Sequence, residues 1–193
     1  MTHARFMEKA LTEASLAYSR GEFPVGCVIV NENRIVATGS RQGTAAGNPV
    51  SETDHAEILA LKQLECIELP VDRCQLTLYS TLEPCLMCWG AILISGIRSV
   101  VYAYEDIMGG GTLCDLANLP QLYSGQPVTL VRHVLRKQSR DLFKRYFSNP
   151  DNVYWKDSLL ARYTLDPACD FEKNDFIVGG DHSSHDRLRD HQI

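Results

Sequence analysis

The residues with the clearest chemical capacity are His55 and Glu57 in Thr53-Asp54-His55-Ala56-Glu57-Ile58, and Cys85 and Cys88 in Leu82-Glu83-Pro84-Cys85-Leu86-Met87-Cys88. One imidazole and two thiolates make three ligands for a borderline-soft dication, and zinc is the ion this donor set suits. Three protein ligands leave one coordination position open for water, whose pKa zinc lowers to about 7. Glu57 sits two residues after His55 and stands outside the ligand set, so its carboxylate is left to move protons. A zinc that only holds a fold together is usually closed by four Cys or His ligands. Cys27, Cys66, Cys74, Cys114 and His133 are candidates for a fourth ligand by type, and none is by spacing. The pattern therefore reads as a catalytic metal centre, with Glu57 as its acid and base.

The elements that must position these residues follow from periodicity. Residues 3–20 carry apolar side chains at spacings of three and four, and Gly21 stands where a helix stop belongs. Residues 25–30 are nearly all apolar, as in a strand covered on both faces, and residues 34–38 return as its hairpin partner. Residues 39–51 are small and polar, a loop long enough to be functional. A helix is expected over 54–64, capped by Thr53 or Asp54, and a strand over 75–80. Pro84 suits the first turn of the next helix, which would put Cys85 and Cys88 on one face near a positive helix end that favours thiolates. Further strands are expected at 99–103 and 128–131, and a closing helix at 139–147. Helices alternating with strands indicate an α/β fold, with the ligands at one end of its sheet.

The totals bound the rest. A chain of 193 residues is long enough to bury a full core in one domain. Seven cysteines, an odd number without a signal peptide, suit thiols and metal ligands in a reducing cytoplasm better than a disulfide framework. No apolar run approaches the roughly 20 residues of a membrane span, so no membrane partner is expected. The net charge of −5 argues against a protein that lives on phosphate contacts. The one basic cluster, from Arg132 to Arg145, is interleaved with apolar residues and reads as a solvated helix face. Residues 1–149 are taken as the working domain and 150–170 as an extension packing on the body or on a second subunit. Residues 171–193, rich in Gly, Asp, Ser, His and Arg, are read as a disordered tail.

An H-x-E motif followed by P-C-x-x-C is the signature of zinc nucleobase deaminases. The chain resembles the cytidine deaminase-like superfamily, and most its branch of bacterial tRNA adenosine deaminases and related guanine and cytosine deaminases. The residues that carry the likeness are Phe23-Pro24-Val25-Gly26, His55-Ala56-Glu57-Ile58-Leu59-Ala60-Leu61, Thr81-Leu82-Glu83-Pro84-Cys85-Leu86-Met87-Cys88, Gly90-Ala91-Ile92, and Val100-Val101-Tyr102 with Asp106. The resemblance implies a three-layer α/β/α fold with a mixed five-stranded sheet, one zinc per subunit and a homodimer. It implies hydrolytic loss of ammonia, in which Glu57 takes a proton from the attacking water and returns it to the ring nitrogen and then to the leaving amine. It also places the Ala56 N–H and the Leu82 or Glu83 carbonyl beside the substrate. Phe23 is expected as a stacking wall or as core, and Asp106 as a substrate contact or as a cap for the glycine loop 109–111.

Departures from the branch bear on the substrate. Members acting on tRNA typically carry Asn in the loop after the second strand, a basic residue before the aspartate and a basic C-terminal helix. Here those places hold Ser40-Arg41-Gln42, Glu105, and Ser148-Asn149-Pro150-Asp151, and Met108 replaces a lysine. A carboxylate facing phosphate costs affinity, so the expectation is a small nucleobase or nucleoside substrate, with wobble adenosine of a tRNA as the alternative. A zinc-stabilised interaction domain without activity is the third reading, and it gives Glu57 no task.

Overall fold

The computed structural model describes residues 3–47, 49–67, 72–124 and 127–170. The tail expected over 171–193 lies outside the described residues. Five strands form one sheet in the order β2-β1-β3-β4-β5. β1 (Gly26–Asn31) and β2 (Arg34–Ser40) are an antiparallel hairpin whose turn sets Glu32 at φ 55. β1 also runs antiparallel to β3 (Leu76–Leu82), whereas β4 (Ser99–Tyr104) and β5 (Thr129–Val131) lie parallel to β3. The helices are α1 (His3–Ser19), α2 (Ala56–Glu65), α3 (Leu86–Ile94), α4 (Arg136–Ser148) and α5 (Leu159–Leu165).

Side-chain alternation along β1 explains why the sheet needs cover on both faces. Val28 and Val30 pack with Phe6, Met7 and Ala10 of α1. Cys27 and Ile29 point the other way, into a larger core with Ala60 and Leu64 of α2 and Trp89, Ile92 and Leu93 of α3. A continuous apolar run thus serves two helix layers, as the sequence pattern indicates for a central strand. Trp89 is 3% exposed and belongs to this core.

Two glycines set the depth at which helices meet the sheet. A Cβ on Gly26 would lie 2.2 Å from the Ala10 carbonyl oxygen of α1. One on Gly39 would lie 2.1 Å from the carbonyl oxygen of Ala56, the first residue of α2. The Gly39 contact seats the end of α2 that carries Glu57 and adjoins His55. Gly39→Ala is therefore expected to cost about 1–3 kcal/mol of stability, the usual range for overpacking. A fall in Tm together with reduced zinc content would show that α2 has been pushed off its seat. An unchanged Tm would mean that the sheet yields freely there.

Candidate active site

Because β1 runs opposite to β2, β3 and β4, its start lies at the same end of the sheet as their finishes. Phe23 and Val25 precede β1, Arg41 follows β2, Glu83 and Cys85 follow β3, and Glu105 and Asp106 follow β4. One end of the sheet thus collects a residue set spread over more than eighty positions of sequence.

His55 and Cys85 are the N-cap residues of α2 and α3. Both are extended, with ψ of 151° and 170°, and neither side chain caps its own helix. This corrects two expectations. Neither Thr53 nor Asp54 is the N-cap of α2, and Pro84 precedes the cap of α3 instead of lying in its first turn. The physical reason is common to both helices. An N-cap residue is extended while its neighbour is helical, so its side chain can swing away from the helix axis toward a shared point. Cys88, inside the first turn of α3, reaches the same point and is fully buried.

His55 Nδ1 lies 3.5 Å from Cys85 Sγ and 3.4 Å from Cys88 Sγ. Zinc bonds of about 2.0–2.1 Å to nitrogen and 2.3 Å to sulfur, held at a tetrahedral angle, require about 3.5 Å between those ligand atoms. The donor set therefore fits zinc in chemistry and in spacing. Among the described residues, the ligand group is these three alone. Cys66, Cys74 and Cys114 are exposed, Cys27 is buried, and His133 lies 3.5 Å from the Glu105 carboxylate, so none of the fourth-ligand candidates joins the group. The two sulfurs are electrostatically unequal. Hydrogen bonding from Cys88 brings the Cys85 thiol down to about 4, and that same bond, with burial, pushes Cys88 well up. Zinc entry must displace the proton they share, so binding releases acid.

Glu57 is 2% exposed. One of its carboxylate oxygens accepts a hydrogen bond of 2.8 Å from the Ser80 hydroxyl, and the other lies 3.6 Å from Cys88 Sγ. Burial raises its pKa, while His55 and the Ser80 hydroxyl oppose that rise. A carboxyl whose pKa is raised by burial is better suited to taking up and releasing protons than one of ordinary acidity. Sequence reasoning misses Ser80. It shares β3 with Thr77 and Thr81, so residue type alone does not single it out, and only its complete burial beside Glu57 does.

A cavity of about 440 Å³, counting space open at its mouth, adjoins these groups. Phe23, Leu82, Glu83 and Asp106 line it together with His55, Glu57 and Cys85, whereas Ala56 is fully buried behind the lining. Phe23 lines the cavity and also meets Phe143, Tyr146 and Phe147 edge-on. Asp106 caps the glycine loop and also borders the cavity. Its carboxylate accepts the Met108 and Gly109 N–H groups at 3.0 Å. The Glu83 carboxylate is occupied by the Asp106 N–H and the Thr112 hydroxyl.

Tyr154 and Trp155 complete the lining. Their rings stack at 5.0 Å and 13°, and each meets Phe23 at 5.5 Å. The Tyr154 hydroxyl donates to Glu52 at 2.8 Å. This roof is tied down by α5: Leu160 is fully buried, Thr164 bonds Tyr104, and the Tyr163 hydroxyl donates to Glu105 at 2.6 Å. Glu105 also accepts a two-pronged ion pair from Arg136. Although burial pushes the Glu105 carboxyl up, Arg136 and Tyr163 hold it below the ordinary range, so it is ionised. Glu105 therefore does not face outward as a charge against phosphate. The basic cluster is corrected too, because Arg136 and Arg140 are buried and Lys137 pairs with Asp141.

The profile of the cytidine and deoxycytidylate deaminase zinc-binding region matches residues 1–104. The tRNA-specific adenosine deaminase of Agrobacterium fabrum is 34% identical over 145 residues, covering 70% of this chain and 93% of that protein. The enzyme of the same name from Aquifex aeolicus is 38% identical over 111 residues, covering 56% and 70%. A structure solved in work on A-to-I editing by tRNA:A34 deaminases at the wobble position aligns with a TM-score of 0.57 at 32% identity, covering 72% of this chain and 98% of that one. Guanine deaminase from Nitrosomonas europaea shares the fold, with a TM-score of 0.57 at 21% identity over 75% and 84% of the two chains.

Proposed function

We propose a function from one premise: the chain belongs to the cytidine and deoxycytidylate deaminase zinc-binding family. It is a zinc-binding deaminase, a hydrolase of C–N bonds in cyclic amidines, and its family acts on nucleobases, nucleosides or tRNA. Among the described residues no helix is long and apolar enough to cross a membrane.

In the reading we favour, His55, Cys85 and Cys88 hold the metal and Glu57 is the catalytic residue. When bound, zinc supplies a water made nucleophilic near neutral pH. Glu57 takes one proton from the attacking water and delivers it to the ring nitrogen, then takes the second from the hydroxyl of the tetrahedral adduct and delivers it to the departing amine, so that a carbonyl remains and ammonia leaves. Ser80 fixes the carboxylate for both transfers. Phe23 and the roof rings wall the heterocycle, while the Ala56 N–H, the Leu82 and Glu83 carbonyls and Asp106 orient it. The exposed apolar side chains Leu86, Met87 and Ile94 of α3, with Leu113, offer a surface on which a homodimer can close.

The observation that favours a small substrate is the roof. Tyr154 and Trp155 of the chain itself border the cavity, so a base carried on a polymer has to displace them before it enters. The alternative, wobble adenosine of a tRNA, is favoured by the names of the relatives quoted above. An ammonia-release panel of free bases, nucleosides and an anticodon stem-loop separates the two. Under the small-substrate reading a free base or nucleoside turns over, and the stem-loop binds weakly with a shallow salt slope. Tight and steeply salt-dependent binding of the stem-loop, with turnover, replaces that reading by the tRNA one. Trp155→Ala should raise KM for the small substrate about 10-fold, as expected when a stacked aromatic contact worth about 1–3 kcal/mol is lost.

A further inference from the structure

Arg41 is 2% exposed, and it follows directly on β2. Its backbone N–H donates to the Val25 carbonyl at 2.9 Å, and the next N–H, that of Gln42, donates to the Asp54 carbonyl at 3.2 Å. The residue is thereby fastened between the start of β1 and the segment that delivers His55. Arg41 lines the cavity that His55, Glu57 and Asp106 line. Nη1 donates to the Gln42 carbonyl. Nη2 is buried and meets no acceptor in hydrogen-bond geometry among the described residues, although the guanidinium carbon lies 5.9 Å from the centre of the Tyr154 ring. The nearest carboxylate, Glu52, is 3.9 Å away and 62% exposed, and the oxygen concerned already accepts the Tyr154 hydroxyl.

A buried guanidinium nitrogen without an acceptor is costly, and such groups are found where a ligand or ion completes them. Guanidinium can only donate. The other charged groups of the cavity are acceptors, and the carboxylates of Glu83 and Asp106 are held by N–H and O–H donors of the chain. An acceptor brought by the substrate would complete Nη2. Arginine pairs with an edge that carries a carbonyl oxygen and a ring nitrogen, as in guanine, whereas an adenine edge, with one donor and one acceptor, pairs with Asn or Gln.

We propose that Arg41 is the specificity residue of the site, and that it donates to a carbonyl of the substrate ring, so that the chain deaminates an oxo-purine of guanine type. This rests on the deaminase reading above. The alternative is that Arg41 only supports Glu52 and the roof.

Two matched pairs test it on the zinc-loaded full chain. Guanine and 2-aminopurine carry the same amine and differ in the carbonyl, so their ammonia release measures preference in turnover. Hypoxanthine and purine differ in the same carbonyl and have no amine to lose, so calorimetry on them measures preference without turnover. The oxo member of each pair should be favoured by about 10- to 100-fold. That preference should vanish in Arg41→Gln, shrink in Arg41→Lys and survive in Glu52→Gln. Equal binding of hypoxanthine and purine to the unaltered chain overturns the proposal, as does an undiminished preference in zinc-loaded Arg41→Gln or Arg41→Lys. If hypoxanthine binds in an Arg41-dependent way while no compound releases ammonia, the deaminase reading fails and the role of Arg41 stands. Equal ammonia release from guanine and 2-aminopurine overturns the role of Arg41 and leaves the deaminase reading in place.

Discussion

Glu57→Gln is expected to lower turnover by about 10²-fold or more, the usual contribution of a positioned acid and base, while zinc content and Tm hold. The substitution keeps the volume, which matters for a side chain that is 2% exposed. It also keeps an acceptor for the Ser80 hydroxyl, since the amide oxygen can occupy the carboxylate position at 2.8 Å. What it removes is the capacity to take up a proton. Because Glu57 lies outside the ligand group, metal analysis should return the same stoichiometry as in the unaltered chain. Turnover within a factor of a few of the original would remove Glu57 from its role and transfer proton movement to another group.

Cys88→Ala should be the more damaging change, with loss of zinc, loss of measurable ammonia release and a lower Tm together. Three ligands are the minimum for a tightly held zinc at a catalytic site. Altering partners that merely hydrogen-bond to ligands already costs 10–100-fold in affinity, so loss of a ligand should exceed that range. The residue is also fully buried in the first turn of α3, and removing its sulfur leaves a void. Zinc titration followed by a chelator dye distinguishes the effects. A variant that binds zinc as before but melts earlier would make Cys88 a packing residue, and the centre would then have to be rebuilt around His55 and Cys85.

These two residues also illustrate what can be read from the chain alone. His55, Glu57, Cys85 and Cys88 are legible because their spacing is local and their residue types have few other uses in combination. The strands are legible for a similar reason: Val28 and Val30 alternate with Cys27 and Ile29, and the sheet divides them between two cores. The helix starts differ from expectation because capping preferences describe helices that have no other task. Here α2 and α3 begin on His55 and Cys85, and both forgo a side-chain cap worth about 0.5–2 kcal/mol to present metal ligands. Glu105 escapes a reading from sequence because its direction depends on Arg136 and Tyr163, which lie 31 and 58 positions away. Arg41 is visible as a departure from the tRNA-acting pattern, but its burial beside the cavity requires the third dimension.

The Tyr154–Trp155 roof has a further consequence, and it concerns time. The rings that border the cavity belong to the chain, and their anchor runs through Tyr163 to Glu105, the neighbour of Asp106 at the cavity edge. A bound molecule leaves past side chains that stack on each other and meet Phe23 edge-on. Every catalytic cycle then contains an interval of opening whose length is independent of how fast the C–N bond breaks. Where that interval is the longer one, the first turnover outpaces those that follow, and solvent viscosity sets the steady rate.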